Sequence, residues 1–324
     1  MELLPARPAI RLFEPDDHKL VRTAIGSSGE AIRLWVPTGA LATVLAYTDS
    51  TTGAKFPVTQ ATASCTGRIS IATATDEFVF DIPKLNTAFP LIQQLPNQRI
   101  LIAGSRCTRE VNGREELNAK IYRFDGSLER EFCMGDGIQD IQANPSGDMW
   151  VSYFDEGVFG NFGWGFRGDD SGPIGASGLV CFDSYGRKKW EFEPASGFNS
   201  IADCYALNVA SDAVWSCYYT DFPIARISLD RQVTAWNTTL SGPRSLAVSG
   251  NMILAYGGYA GYRTDCQLLK LGVDSAEEIT KVILKVPAKV SLEECEVIGR
   301  GQWLHAFANN NWWSFQVPQH SAVR

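Results

Sequence analysis

Histidine is nearly missing from this chain, with three among 324 residues: His18, His305 and His320. Two lie near the ends, so a multi-histidine zinc site or a Ser-His-Asp triad would have to rest on His305 or on a terminal residue. His305 stands in "QWLHAF", where a packed strand histidine is expected. No G-x-S-x-G nucleophile elbow occurs either. Long apolar runs are missing too. No window approaches the roughly 18 to 20 apolar residues of a membrane span, and "MELLPARPAIRLFEPDD" lacks the apolar stretch of a signal peptide. The expectation is a cytoplasmic protein with no membrane contact.

Clustered basic charge is also absent. The net charge is -7 and the pI about 5.1, which excludes a partner held mainly by phosphate contacts and so excludes nucleic acid. An acidic surface favours neutral or cationic partners. The eight cysteines form no C-x-x-C pair; dispersed singly through a long chain, they read as buried free thiols. One bridge, between Cys204 and Cys217 across a hairpin, stays open.

Helical periodicity is scarce, while short β-rich runs recur between Gly, Pro, Asn, Asp and Ser. Aligned, they give a repeating unit: "FPLIQQLPNQRILIAGSR", "GIQDIQANPSGDMWVSYFDE", "SIADCYALNVASDAVWSCYYTD", "GPRSLAVSGNMILAYGGY" and "SLEECEVIGRGQWLHAFANN". Second hairpins follow, turning at "FDGS", "FDSYG" and "SLDRQ". Four strands per unit, repeated along the chain, mark propeller blades. The predicted fold class is all-β: one β-propeller domain over 1–324, with six four-stranded blades and seven as the alternative. The blades are placed at 40–86, 88–134, 137–195, 200–240, 242–287 and 291–318, with the strand at 31–37 closing the last.

"ANPSGDMWVSYFD" resembles the strand-turn-strand core of NHL, YncE-like and gluconolactonase-like propellers. The resemblance covers most of the chain as architecture and singles out no specific family, because this pattern is generic to blades and carries no chemistry.

In such a blade the residues before the first strand and after the second meet on one face. Asp140, Asp203 and Glu293 should begin first strands there, and Asp155, Glu156 and Asp221 should follow second strands, giving an acidic rim. The same face receives three long connections, 104–118, 257–265 and the glycine- and aromatic-rich stretch that opens "SYFDEGVFGNFGWGFRG". Long connections are often functional. Phe159, Phe162 and Trp164 either fold back over the blade or contact a ligand or partner. Arg167, Tyr259 and Arg263 complete the candidate ligand- or partner-binding set. Arg106, Arg109 and Arg114 join Arg167 and Arg263 in these connections, where they neutralise the rim or, if they converge, receive a carboxylate or phosphate. "GWGFRG" matches the dinucleotide fingerprint in letters only, since no helix can follow it through "DDSGPIGASG".

The favoured function is a non-catalytic recognition scaffold that binds a protein partner, as an inhibitor for example, or a small ligand, and needs no cofactor. The runner-up, implied by the gluconolactonase-like resemblance, is a metal-dependent hydrolase with calcium or manganese held by Asp140, Asp203 and Glu293, and with Asn199 and Asp136 near enough to contribute. One departure from that pattern is that counting back from Gly147 reaches Gln139 rather than Asp140. Carbohydrate binding or hydrolysis is a minor third reading.

Overall fold

The computed structural model describes residues 2–49, 53–165, 172–259, 261, 263–287 and 289–318. Their strands form six blades, five sheets of four strands and one of five, built mainly from sequence-consecutive antiparallel neighbours, with a separate two-stranded ribbon, Tyr47–Asp49 with Lys55–Pro57. This is the all-β, six-bladed β-propeller class that the repeats predict. The blades belong to two compact units, Phe13–Phe192 and Met1–Leu12 with Glu193–Arg324, three to each. Among the described residues no helix is long and apolar enough to cross a membrane.

Strand periodicity explains why the blades read as nearly continuous apolar runs. Side chains alternate between the two faces of a sheet, and here both faces are covered. In Arg99–Gly104, Ile100 and Ile102 join one core cluster with the first blade, while Leu101 and Ala103 join another with the third. Met252–Tyr256 repeats the arrangement: Ile253 and Ala255 face the fourth blade, and Met252, Leu254 and Tyr256 face the sixth.

Turn chemistry fixes the hairpins. In "NPSGD" the Asn144 side chain accepts from the Ser146 and Asp148 amides, and Gly147 takes a φ of +88°. That left-handed backbone suits glycine, and it sets the register that pairs Ala143 with Met149.

The sequence places Ala31–Pro37 in the last blade; the structure places it in the first. It pairs with His18–Ile25 on one side and Gln60–Ala72 on the other, with Glu77–Thr87 outside. The physical reason is burial: Ile32, Leu34 and Val36 are fully buried and Trp35 nearly so, which an interior strand satisfies and an edge does not. The first blade therefore runs from 18 to 87. An N-terminal strand does complete the last blade, but it is Ile10–Arg11, paired with Asn311–Gln316. Upstream, Glu2–Pro5 adds a fifth, parallel strand to Ala276–Lys285.

The cysteines are free. Cys204 and Cys217 are not opposite one another, because a bulge shifts the register so that Cys204 faces Tyr218 and Cys217 faces Ala206.

Candidate functional site

In Phe13–Phe192 the glycine- and aromatic-rich stretch leaves Met149–Tyr153 and enters a short helix, Asp155–Phe159, which has Asp155 and Glu156 in its first turn. Gly160, at φ +102°, ends it. The chain then runs hard against the 104–118 connection. The Arg109 amide donates to the Phe162 carbonyl at 2.9 Å, and a Cβ on Gly163 would collide with the Arg109 carbonyl oxygen, so glycine is required there.

This approach buries what the sequence offers as ligand contacts. Trp164 is 2% exposed and its Nε1 donates to the Cys107 carbonyl at 2.9 Å; it is a packing residue. Phe162 is half-buried beneath the Arg106 guanidinium, 4.5 Å from its ring centre. Phe159 alone of the three stays exposed, at 68%. Arg167 lies outside the described residues. Trp164→Phe deletes one hydrogen bond and shrinks a buried ring, so a loss of about 1–3 kcal/mol is expected in urea unfolding; no measurable loss would mean that the indole does not hold Cys107.

Beneath this stretch lies an ion-pair cluster. Arg106 Nη2 contacts Asp136 Oδ2 at 2.9 Å and Glu156 Oε2 at 2.5 Å, with Arg106 and Asp136 almost wholly buried. The Cys107 amide donates to Asp136 Oδ1 at 2.8 Å. Burial pushes the Asp136 carboxyl up to about 6, against the pull of Arg106 and of the Cys107 and Gly137 amides. Burial would raise Glu156 as well, but Asn161 and Arg106 outweigh it and hold its carboxyl below the usual range. Arg106 and Asp136 thus neutralise one another in the interior and do not serve the rim. Sequence reasoning missed this pairing, because 30 residues separate the partners.

The acids proposed as metal ligands are engaged differently. Asp140, third in Ile138–Ala143, accepts from the Ile141 amide and from Gln142 Nε2, with Arg22 at 3.9 Å. Asp203 does begin a strand, Asp203–Val209. Glu293 does not: it is exposed on the single turn Leu292–Glu294, and the strand starts at Glu296. Among the described residues no group of three or more His, Cys, Asp or Glu side chains could hold a metal ion. The residues present do not fit the calcium or manganese site.

In the unit Met1–Leu12 with Glu193–Arg324, two neighbouring features stand out. The first is a cluster around Phe222, 6% exposed, whose ring lies 5.1 Å from Tyr205, 5.8 Å from Tyr219 and 5.7 Å from Tyr259. The Tyr205 and Tyr259 hydroxyls are 3.0 Å apart. Tyr219 and Tyr259 remain 45% and 43% exposed. Asp221, expected after the second strand, follows Ala213–Tyr219 and accepts from Asn199 Nδ2 at 3.3 Å.

The second feature is a cavity of about 750 Å³ lined by Arg244, Tyr256, Arg263, Glu293, Cys295 and Glu296 among others. Its charged residues are exposed, while Tyr256 is buried and Cys295 half-buried. The structure thus brings together Arg263 and Glu293 from the predicted set and adds Arg244, Tyr256 and Glu296. Arg244 carried a legible signal, since it directly precedes the strand Ser245–Ser249, the position at which acids were sought elsewhere. Cavity and cluster share two chain segments: Tyr259 packs on Gly242, two residues before Arg244, and follows Tyr256 by three.

The YxzG family matches residues 175–306, under half of the chain. No curated protein matches it in sequence. Among solved structures, a virginiamycin B lyase from Staphylococcus aureus, determined with quinupristin, is 12% identical with a TM-score of 0.47, over 96% of this chain and 99% of that one. A streptogramin B lyase is 10% identical with a TM-score of 0.48, over 96% and 98%. A gluconolactonase from Xanthomonas campestris is 13% identical with a TM-score of 0.45, over 97% and 99%. What those proteins bind or act on is a property of each of them; this chain is similar to them at the level of its blades.

Proposed function

We propose that the protein is a non-catalytic recognition scaffold acting in the cytoplasm, and that the Arg244–Arg263–Glu293–Glu296 cavity with its adjoining tyrosines is its binding site. The cavity carries the reading. Its volume of about 750 Å³ lies within the span of small-ligand sites, roughly 300–1,000 Å³. Guanidinium groups and carboxylates around partly apolar walls favour an occupant that bears both charges and an apolar group. A short peptide or a loop of a protein partner meets that description, as does a zwitterionic small molecule. Tyr219 and Tyr259 supply amphipathic rings of the kind enriched at interface anchors. Among the described residues the hydrolase reading has no carboxylate ligand set to support it.

The test is a fluorescence titration with mixed-charge peptides that contain one aromatic residue, repeated on Arg263→Ala, Glu293→Ala and Phe159→Ala. The expected result is saturable binding weakened about tenfold, or about 1.4 kcal/mol, by each of the first two substitutions and unchanged by the third. Binding that is indifferent to Arg263 and Glu293 would remove the site from this cavity.

A further inference from the structure

Cys107 and Cys133 sit at one end of the second blade, Cys107 on the 104–118 connection and Cys133 just after Leu128–Phe132. Their Sγ atoms are 3.6 Å apart. Cys107 is buried and Cys133 is half-buried. A buried amide holds the backbone on both sides of the pair: Asn118 Nδ2 donates to the carbonyls of Gly104 and Gly135, and Asn118 Oδ1 accepts from the Met134 amide. The thiols therefore meet because the strand ends are tied together, and a bond between them needs an approach of about 1.5 Å to reach the ordinary S–S length near 2.05 Å.

We propose that Cys107 and Cys133 form a reversible intramolecular disulfide by exchange with a low-molecular-weight disulfide such as oxidised glutathione. The half-buried Cys133 is the thiol that an external disulfide can reach. Its thiolate attacks one sulfur of the reagent, displaces one thiol and leaves a mixed disulfide on Cys133. Cys107 Sγ then attacks Cys133 Sγ, and its proton passes to the departing second thiolate. In total the protein loses two protons and two electrons, and one glutathione disulfide becomes two thiols.

In the reduced pair the hydrogen bond to Cys133 and burial together hold the Cys107 thiol far above its ordinary range; once Cys133 carries glutathione only burial remains, and the second step quickens with rising pH because it needs the Cys107 thiolate. Closing the bond acts on the cluster above it. The Cys107 amide is bound to Asp136, and its carbonyl to Trp164, so the disulfide fastens the 104–118 connection and the stretch ending at Trp164 to the strand end at Cys133.

The folded protein is incubated at pH 8.5 with increasing ratios of oxidised to reduced glutathione, quenched in acid, denatured, alkylated and mapped by mass spectrometry. The expected product is a cross-linked peptide pair containing residues 107 and 133, neither of them alkylated, with full reversal by dithiothreitol; any glutathione on the likewise half-buried Cys65 and Cys295 is mapped separately. Cys133→Ser should leave Cys107 alkylatable, Cys107→Ser should stop at a stable glutathione adduct on Cys133, and Cys204→Ser should behave as the parent. The proposal is overturned if both thiols of the parent protein remain alkylatable at every ratio, or if Cys133 carries glutathione while Cys107 stays free. The parent protein alone decides this, whatever the stability of the variants.

Discussion

Asp136→Ala is expected to lower the unfolding free energy by about 3–5 kcal/mol, because it strips a buried guanidinium of its enclosed partner. Arg106 is 6% exposed at its side chain and Asp136 1%. What remains for Arg106 is Glu156, which is 42% exposed, together with the faces of Phe162 and Phe154. The substitution also orphans the Cys107 amide. Asp136→Asn keeps an acceptor for that amide and should be milder. Because burial, more than bonding, dominates the energetics of such a pair, the double substitution Arg106→Met with Asp136→Leu should recover the part of the loss due to the stranded guanidinium, the Cys107 amide staying unpaired. Urea unfolding followed by amide exchange within residues 13–192 measures all three. A loss below about 1 kcal/mol for Asp136→Ala would mean that Arg106 reaches water or that Glu156 suffices, and the cluster would then be no structural element.

Acidification should weaken the other unit through His305. This side chain is 4% exposed; its Nδ1 accepts from Trp312 Nε1 at 3.0 Å, so the ring is neutral with its proton on Nε2. Burial, aided by the charge of Arg300, pushes its pKa down to about 3 from an ordinary 6.5. In the unfolded chain the imidazole binds a proton as pH falls through 6.5, whereas in the folded unit it does so only near 3. The unfolded state therefore holds more protons throughout that window. Stability from this group is fully present above pH 6.5 and is lost progressively down to about 3, amounting to about 3 kcal/mol by pH 4. His305→Asn keeps an acceptor near the Nδ1 position and removes the titration. It should flatten the slope of stability against pH between 6.5 and 4 for residues 193–318, whatever its fixed cost at pH 7. An unchanged slope would show that His305 is not the source of acid lability. Asp136 has the opposite sign: its folded pKa is raised to about 6, so its contribution falls as pH rises from about 4 to 6, and the Asp136→Asn variant should lose that component.

Much of the architecture was legible because it is local. Alternating apolar runs bounded by "NPSG", "FDGS" and "SLDRQ" gave the hairpins, and hairpins between neighbours in sequence account for most of each blade. The errors fall where a pairing is distant or a signal short. Ala31–Pro37 reads correctly as a strand but is given to the last blade, because its partner His18–Ile25 is charged and half-exposed and gives little apolar signal. Ile10–Arg11, two residues long, gives none. The candidate site divides in the same way. Arg263 and Glu293 were placed by their position in long connections and beside strand starts. Trp164 stays open in sequence between folding back and contacting a ligand, because composition cannot show that the Arg109 carbonyl lies against Gly163.

The sequence by itself determined most of the strands, the turns and the repeat, since each depends on residues within a few positions of one another. Tertiary structure alone decided which polar groups face each other. Arg106 and Asp136, Cys107 and Cys133, and the Asn208 amide that donates to the carbonyls of Leu246 and Gly301 all join segments from different strands or blades. Their energies come from burial against distant chain, and no local pattern encodes burial of that kind.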